Sequence, residues 1–180
     1  LDGIAVGNFL VRTLSLDAGG HVSQKAGTSV IVNEGAELSA GGFDITLSES
    51  GNDFVGDVVA SGRSVVFSDR NDISLFEIDA DQLSIVAEGA VVDGQFGDLV
   101  VAGNASLRGS EIAIGNDDGN TTRFGSLTFN SSGTVSVNEY NQMEVSGPST
   151  AGGGLELASS GDLLLAGTVD VIGDAGLTAD

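Results

Sequence analysis

The sequence predicts an all-β protein: a right-handed parallel β-solenoid with about three strands per coil and almost no helix. Three observations predict this fold. Short segments with alternating apolar residues recur along the whole chain, mostly about eight residues apart. Turn-forming Gly, Asn, Asp and Ser separate them, and glycine alone fills 28 of 180 positions. Stretches of the chain also repeat one another at a fixed offset.

The predicted strands share an apolar residue on each side of a central residue. In chain order their centres are Ser15, Ile31, Thr46, Val66, Ser74, Ser84, Val100, Ser106, Ala113, Thr128, Ser136, Glu144, Glu156 and Leu164. A stripe of helical apolar spacing is always interrupted by glycine, which disfavours helix. A β-sandwich is the competing fold, because it also has short strands at such spacing.

The repeat favours the solenoid. Residues 54–75 and 124–145 align at a constant offset, which pairs Asp69 with Glu139 and Asn71 with Asn141. The chain is therefore expected to be one segment, 1–180, with an internal repeat of about 52–122 and 122–180. A second, shorter echo relates Leu14 to Leu38. Together they predict coils of about 24 residues and about seven coils, a rod of roughly 35 Å.

This alignment also predicts side-chain directions. Asn71 and Asn141 should lie in turns, and four apolar residues should point inward on one shared face: Ile73, Leu75, Met143 and Val145.

The charge excludes several partners. Six Lys and Arg against 26 Asp and Glu give a net charge of -20. Nucleic acid and anionic membranes need clustered cations, so both are disfavoured. No apolar run reaches the roughly 20 residues of a membrane span, and residues 1–20 lack the pattern of a signal peptide. Such acidity favours an extracellular protein in a medium rich in salt or divalent ions.

The segment Asp69-Arg70-Asn71-Asp72-Ile73-Ser74-Leu75 resembles the D-x-N-x-L-x-L signature of large bacterial surface proteins of the filamentous-haemagglutinin and autotransporter adhesin type. Asn52-Asp53-Phe54 opens that repeat, and residues 29–47 resemble coils of the same proteins. The second copy has Thr122-Arg123-Phe124 and Glu139 instead. The resemblance implies a β-solenoid that serves as a shaft or an adhesive surface, and it supplies no catalytic residue.

Residues 116–120 are the one candidate site. Asp117, Asp118 and Asn120 place oxygen ligands in a glycine loop, which suits Ca²⁺. A solvent-exposed turn is the favoured alternative, because the spacing is not that of an EF-hand or a calcium-binding β-roll. His21, Lys25 and Tyr140 each occur once and are expected on the surface or in turns.

Two function classes remain from the sequence. The first is a non-catalytic shaft, adhesin or filament segment of a bacterial surface protein, with other copies or flanking repeats stacked end to end and with a carbohydrate or protein ligand. The chain begins and stops in strand-and-turn rhythm, which favours a longer shaft or a filament. The alternative is a carbohydrate-active β-helix enzyme, a lyase or a glycoside hydrolase; cations that would hold an acidic sugar are scarce here.

Overall fold

The computed structural model describes residues 3–117 and 119–180, and these residues form strands, turns and irregular connections without a helix. The strands are β1 (Ile4–Val6), β2 (Phe9–Asp17), β3 (Val22–Gln24), β4 (Val30–Ser39), β5 (Ile45–Leu47), β6 (Asp53–Phe54), β7 (Asp57–Asp69), β8 (Ile73–Ala87), β9 (Ala90–Gly109), β10 (Glu111–Ile114), β11 (Thr121–Ser131), β12 (Val135–Glu139), β13 (Met143–Val145), β14 (Ser149–Ala151), β15 (Leu155–Ser159), β16 (Leu163–Leu165), β17 (Val169–Val171) and β18 (Ala175–Ala179). Several predicted neighbours merge into one long strand, because the chain turns corners without leaving the sheet.

The strand pairs among the described residues are all parallel. A β-sandwich is built from antiparallel pairs, so that alternative is wrong. Each segment instead pairs with the equivalent segment one turn later, and the predicted right-handed parallel β-solenoid is confirmed.

The predicted coil length and number are wrong. One column of paired residues climbs the solenoid in unequal steps, each shorter than the predicted coil: Ile4, Val22, Ile45, Val65, Leu83, Ala105, Leu127, Val145 and Leu165. We call it the Val65 column. The solenoid therefore has about nine turns rather than seven, a rod of roughly 40 Å. The shorter repeat gave a wrong coil length because Leu14 pairs with Ala36 and not with Leu38.

A second column shows how the repeat that relates residues 54–75 to 124–145 fits the turns of the solenoid. This column, the Ile73 column, contains Ile73, Val91, Ile112, Val135, Leu155 and Ala175. Val65 and its equivalent Val135 thus stand in different columns. The offset is not a whole number of turns, so equivalent strands lie on different faces.

The prediction for Ile73, Leu75, Met143 and Val145 is confirmed in part. All four side chains are completely buried, and the asparagines at 71 and 141 lie in exposed bends. The shared face is wrong, because Val145 pairs with Leu127 in the Val65 column whereas Ile73 pairs with Val91.

The core is a stack of apolar side chains inside the coil. Inward residues alternate with outward ones along each strand, as in Val65, Phe67 and their neighbour Val66. Phe54 and Phe67 meet edge to face, with ring centroids 5.4 Å apart. Each turn covers the apolar edge of the previous one, which joins the stack into one continuous core.

Candidate functional site

The structure places two of the three predicted calcium ligands, Asp117 and Asn120, in the connection between β10 and β11. Asp117 is exposed, and its carbonyl oxygen accepts the Asn120 backbone N–H at 3.3 Å. Asp118 lies outside the described residues. Asn120 is half-buried, and both ends of its amide are engaged by the protein: Oδ1 accepts the Gly97 N–H at 3.1 Å and Nδ2 donates to Asp93 at 2.7 Å. The calcium site stays a prediction.

Asp93 is the residue that organises this loop, and the sequence reasoning missed it. It follows Leu75 in an inward column, where apolar residues are the rule. Its Oδ2 accepts hydrogen bonds from the Gly115 N–H and from Asn120 Nδ2, both at 2.7 Å. Burial raises the pKa of Asp93, and these two donors lower it in part. The alternation of Val91 and Asp93 was the available signal, because it puts both inward.

Calcium and simple salt can be separated by thermal melting. Any salt should raise the melting temperature, because it screens the repulsion of a chain with net charge -20. If the loop binds Ca²⁺, millimolar Ca²⁺ should raise it further than NaCl at matched ionic strength, and Asp117→Asn should remove that excess. Glu156→Gln, an exposed site on β15, is the control for lost charge. Equal effects of the two salts on the parent chain would reject the site.

Phe96 is the exposed aromatic of the same region. Its backbone is left-handed, with a φ of 65°, and the side chain is 64% exposed. Gly119 lies against the ring: a Cβ there would come within 2.8 Å of Phe96 Cδ1, and its own φ is 95°. Glycine at 119 therefore gives the ring its place beside the loop.

Two buried carboxylates close equivalent corners of the solenoid. Asp69 Oδ2 accepts the Phe54 N–H at 2.7 Å, and its Oδ1 accepts the Asn71 N–H at 2.7 Å. Glu139, the equivalent residue one repeat later, accepts the Phe124 N–H at 3.1 Å. Each carboxylate thus binds a backbone amide 15 residues upstream. The constant offset identified the two positions as equivalent, and the structure shows that both are buried acceptors of a backbone amide.

The two corners differ in how completely their polar groups are paired. Asn52 is fully buried and bonds to Gln24, to the Val30 N–H and to the Leu47 carbonyl. Its equivalent, Thr122, is also buried, but Thr122 Oγ1 and Glu139 Oε1 have no hydrogen-bond partner among the described residues. Burial, which the Phe124 N–H offsets only in part, raises the pKa of Glu139 to about 7. The second corner is therefore the weaker one.

The outer contact at each corner is also equivalent, although its chemistry changes. Arg70 binds Asp53 through Nε at 3.0 Å and through Nη2. The equivalent pair is Arg123 and Tyr140, in which the guanidinium lies 5.3 Å from the ring centroid. An ion pair in the first copy is thus a cation–π contact in the second. Tyr140 is 63% exposed, in the bend where it was predicted.

The other residues that occur once have surface positions, as predicted. Lys25 is exposed. His21 is exposed and lies beside Asp44, with its Nδ1 3.3 Å from Asp44 Oδ2. Arg63 binds both oxygens of that carboxylate, and this hydrogen-bonded pairing lowers the pKa of Asp44. Within residues 3–117 and 119–180, no group of three or more His, Asp or Glu side chains converges as a metal site would require.

Residues 2–61 match a family described as "Repeats of unknown function (DUF5649)". The match covers a third of the chain and ends within β7. No curated protein and no solved structure matches significantly. The described chain also has no helix long and apolar enough to cross a membrane. The repeat match and the parallel coil together identify a repeat protein with a β-helical fold.

Proposed function

We propose that this chain is a non-catalytic structural segment, a stretch of shaft in a bacterial extracellular or cell-surface protein of the filamentous-haemagglutinin and autotransporter type. The nine-turn stack supports this proposal, because a solenoid lengthens by one strand spacing for every turn added. The net charge of -20 is consistent with it, since an extracellular medium rich in salt would screen the repulsion between neighbouring turns and copies. The repeat match at residues 2–61 is consistent with an array of such coils.

The single observation that carries the proposal is the apolar edge formed by β16–β18. Leu177 continues the column of Leu157, which is fully buried, yet Leu177 is 49% exposed. Leu165 likewise follows the buried Val145 and is 42% exposed. These side chains have the inward position of a core residue without a turn above them. Another copy of the chain stacked on this edge would bury them and pair the open strand edges.

Sedimentation across a concentration series tests this stacking. The mass-average size of the parent chain should rise with concentration, and Leu177→Glu should abolish the rise because a charge cannot be buried at the junction. Leu164→Glu is the matched control: it is 47% exposed and pairs with the outward Glu144, so stacking should persist. A parent chain that remains monomeric at every concentration would reject end-to-end stacking.

The non-catalytic part of the proposal is tested separately. Acidic and neutral polysaccharides should show no turnover above background when incubated with the chain. Turnover of any of them would favour a carbohydrate-active enzyme instead.

A further inference from the structure

One surface of the solenoid is poor in carboxylates. It is formed by the outward residues of β3, of β5 and of the second halves of β7, β8, β9 and β11. We call it the hydroxyl face; its residues are Ser23, Thr46, Ser64, Val66, Ser68, Gln82, Ser84, Val86, Asn104, Ser106, Arg108, Ser126, Thr128 and Asn130. No Asp or Glu is among them, although the chain has 26. The turn before Ser64 carries Asp44 in the same row, and the turns after Asn130 carry Glu144 and Asp170.

Arg108 is the charged residue of this face. It is exposed, and it stands between Val86 and Asn130 in a row of outward residues. Arg12, Arg63 and Arg70 each bind a carboxylate, and Arg123 lies on Tyr140. Arg108 has no such ion pair or ring contact within the described part of the chain. Its guanidinium is therefore available to an external anion.

Two adjoining grooves meet at this arginine. One has a volume of about 320 Å³ and the other about 450 Å³, and Val86, Arg108 and Asn130 line both. Ser106 and Thr128 line the first, and Ser110 and Ser132 line the second. Glu88, a residue of the second groove, is the carboxylate on its rim. Grooves of this size suit a few sugar rings.

The chemistry of the face favours an acidic sugar over a peptide. Hydroxyl and amide groups can exchange hydrogen bonds with sugar hydroxyls, and they recur at the strand spacing of about 4.8 Å. Asn104 already binds its neighbours in this way, with Nδ2 3.1 Å from Thr128 Oγ1 and Oδ1 3.0 Å from Ser126 Oγ. A peptide that adds a strand needs an open sheet edge. The strands of this face have neighbours on both sides.

We propose that the hydroxyl face binds a uronic-acid polysaccharide, with Arg108 pairing the sugar carboxylate and the flanking Ser, Thr and Asn side chains binding its hydroxyls. An acidic ligand meets the least repulsion here, because carboxylates are concentrated elsewhere on the surface and Arg108 supplies one positive charge that is unpaired within the described chain, although cations are scarce in the chain as a whole. The planar guanidinium can bind a carboxylate through two parallel hydrogen bonds. This binding does not depend on the end-to-end stacking proposed above.

Calorimetric titration of the 180-residue chain tests the proposal. The probes are tetrasaccharides of galacturonate and of mannuronate, with methyl-esterified tetragalacturonate as the uncharged control. At least one uronate should bind with a dissociation constant below about 1 mM, and the ester should bind more weakly. Arg108→Gln should weaken binding roughly tenfold or more, because a charge-assisted pair is lost. The affinity of Arg108→Lys should lie between those of the parent and of Arg108→Gln, because lysine keeps the positive charge but lacks the planar group that makes two parallel hydrogen bonds.

Arg12→Gln is the matched control. It removes the same charge from an arginine whose side chain is 81% exposed and bound to Glu34, so uronate binding should not change. Three results would overturn the proposal: no uronate bound at millimolar concentration, an Arg108→Gln variant that binds as the parent does, or an ester that binds as tightly as the acid. Self-association that Arg108→Gln abolishes, with no uronate bound, would assign the face to a second copy instead.

Discussion

Leu75→Asp is expected to destabilise the chain by about 4 kcal/mol or more, the range for an unpaired charge forced into a core. Leu75 is fully buried, and its inward neighbours in the column are Val58 and Asp93. A new carboxylate there would lose its water and would also face the carboxylate of Asp93. Because each turn rests on the one before, the damage should spread to the adjacent turns. Thermal or urea unfolding followed by circular dichroism measures the loss.

The control for this experiment is the same substitution on an outward position. Leu164→Asp alters a side chain that is 47% exposed, so its effect on the free energy of unfolding should stay within about 1 kcal/mol. If Leu75→Asp melted with the parent chain, the inward register of β8 would be wrong.

Raising the pH from about 5 to about 8 is expected to cost the chain about 2 to 3 kcal/mol of stability through Glu139 alone, since each unit of pKa shift corresponds to about 1.4 kcal/mol. Burial raises the pKa of this carboxyl from 4.5 to about 7. The folded state therefore prefers the protonated form. Its contribution is fully present below pH 4.5 and is lost as the pH rises through about 7.

Glu139→Gln isolates this contribution. The amide can still accept the Phe124 N–H and carries no charge, so the variant should be more stable than the parent at pH 8 and similar at pH 5. Asp69→Asn is the matched contrast. Both oxygens of Asp69 accept backbone N–H groups, and an amide nitrogen cannot accept, so that variant should lose stability at pH 8. A Glu139→Gln variant with the pH profile of the parent would contradict the assignment.

The two corners show how a repeat can diverge while its fold persists. The backbone amide of Phe54 or Phe124 needs a partner inside the coil, and a carboxylate supplies it in both copies. The longer side chain of Glu139 reaches the same amide but leaves its second oxygen unpaired. The surrounding network has changed as well, from Asn52 to Thr122. Side chains at such a corner can thus vary as long as one acceptor remains.

Short alternating strands and glycine-rich turns predicted an all-β fold, because they depend on local periodicity and turn chemistry, and the internal repeat then favoured a parallel solenoid over a β-sandwich. The inward direction of Ile73, Leu75, Met143 and Val145 followed from the same alternation. The pairing register between turns could not be predicted in this way, because it depends on the number of residues in each corner. The steps along the Val65 column are unequal, so neither sequence echo could yield the length of a turn.

Sequence alone also determined that the surface is acidic, that His21, Lys25 and Tyr140 are peripheral, and that Asp69 and Glu139 are equivalent. Only the tertiary structure decided which side chains share a surface. Arg108, Ser84 and Thr128 are far from one another along the chain, and parallel stacking makes them neighbours on the hydroxyl face. Asp93 is one acidic residue among many in the sequence, and its place in an inward column makes it the acceptor that holds Gly115 and Asn120. In both cases the deciding interaction is between turns, which local sequence does not encode.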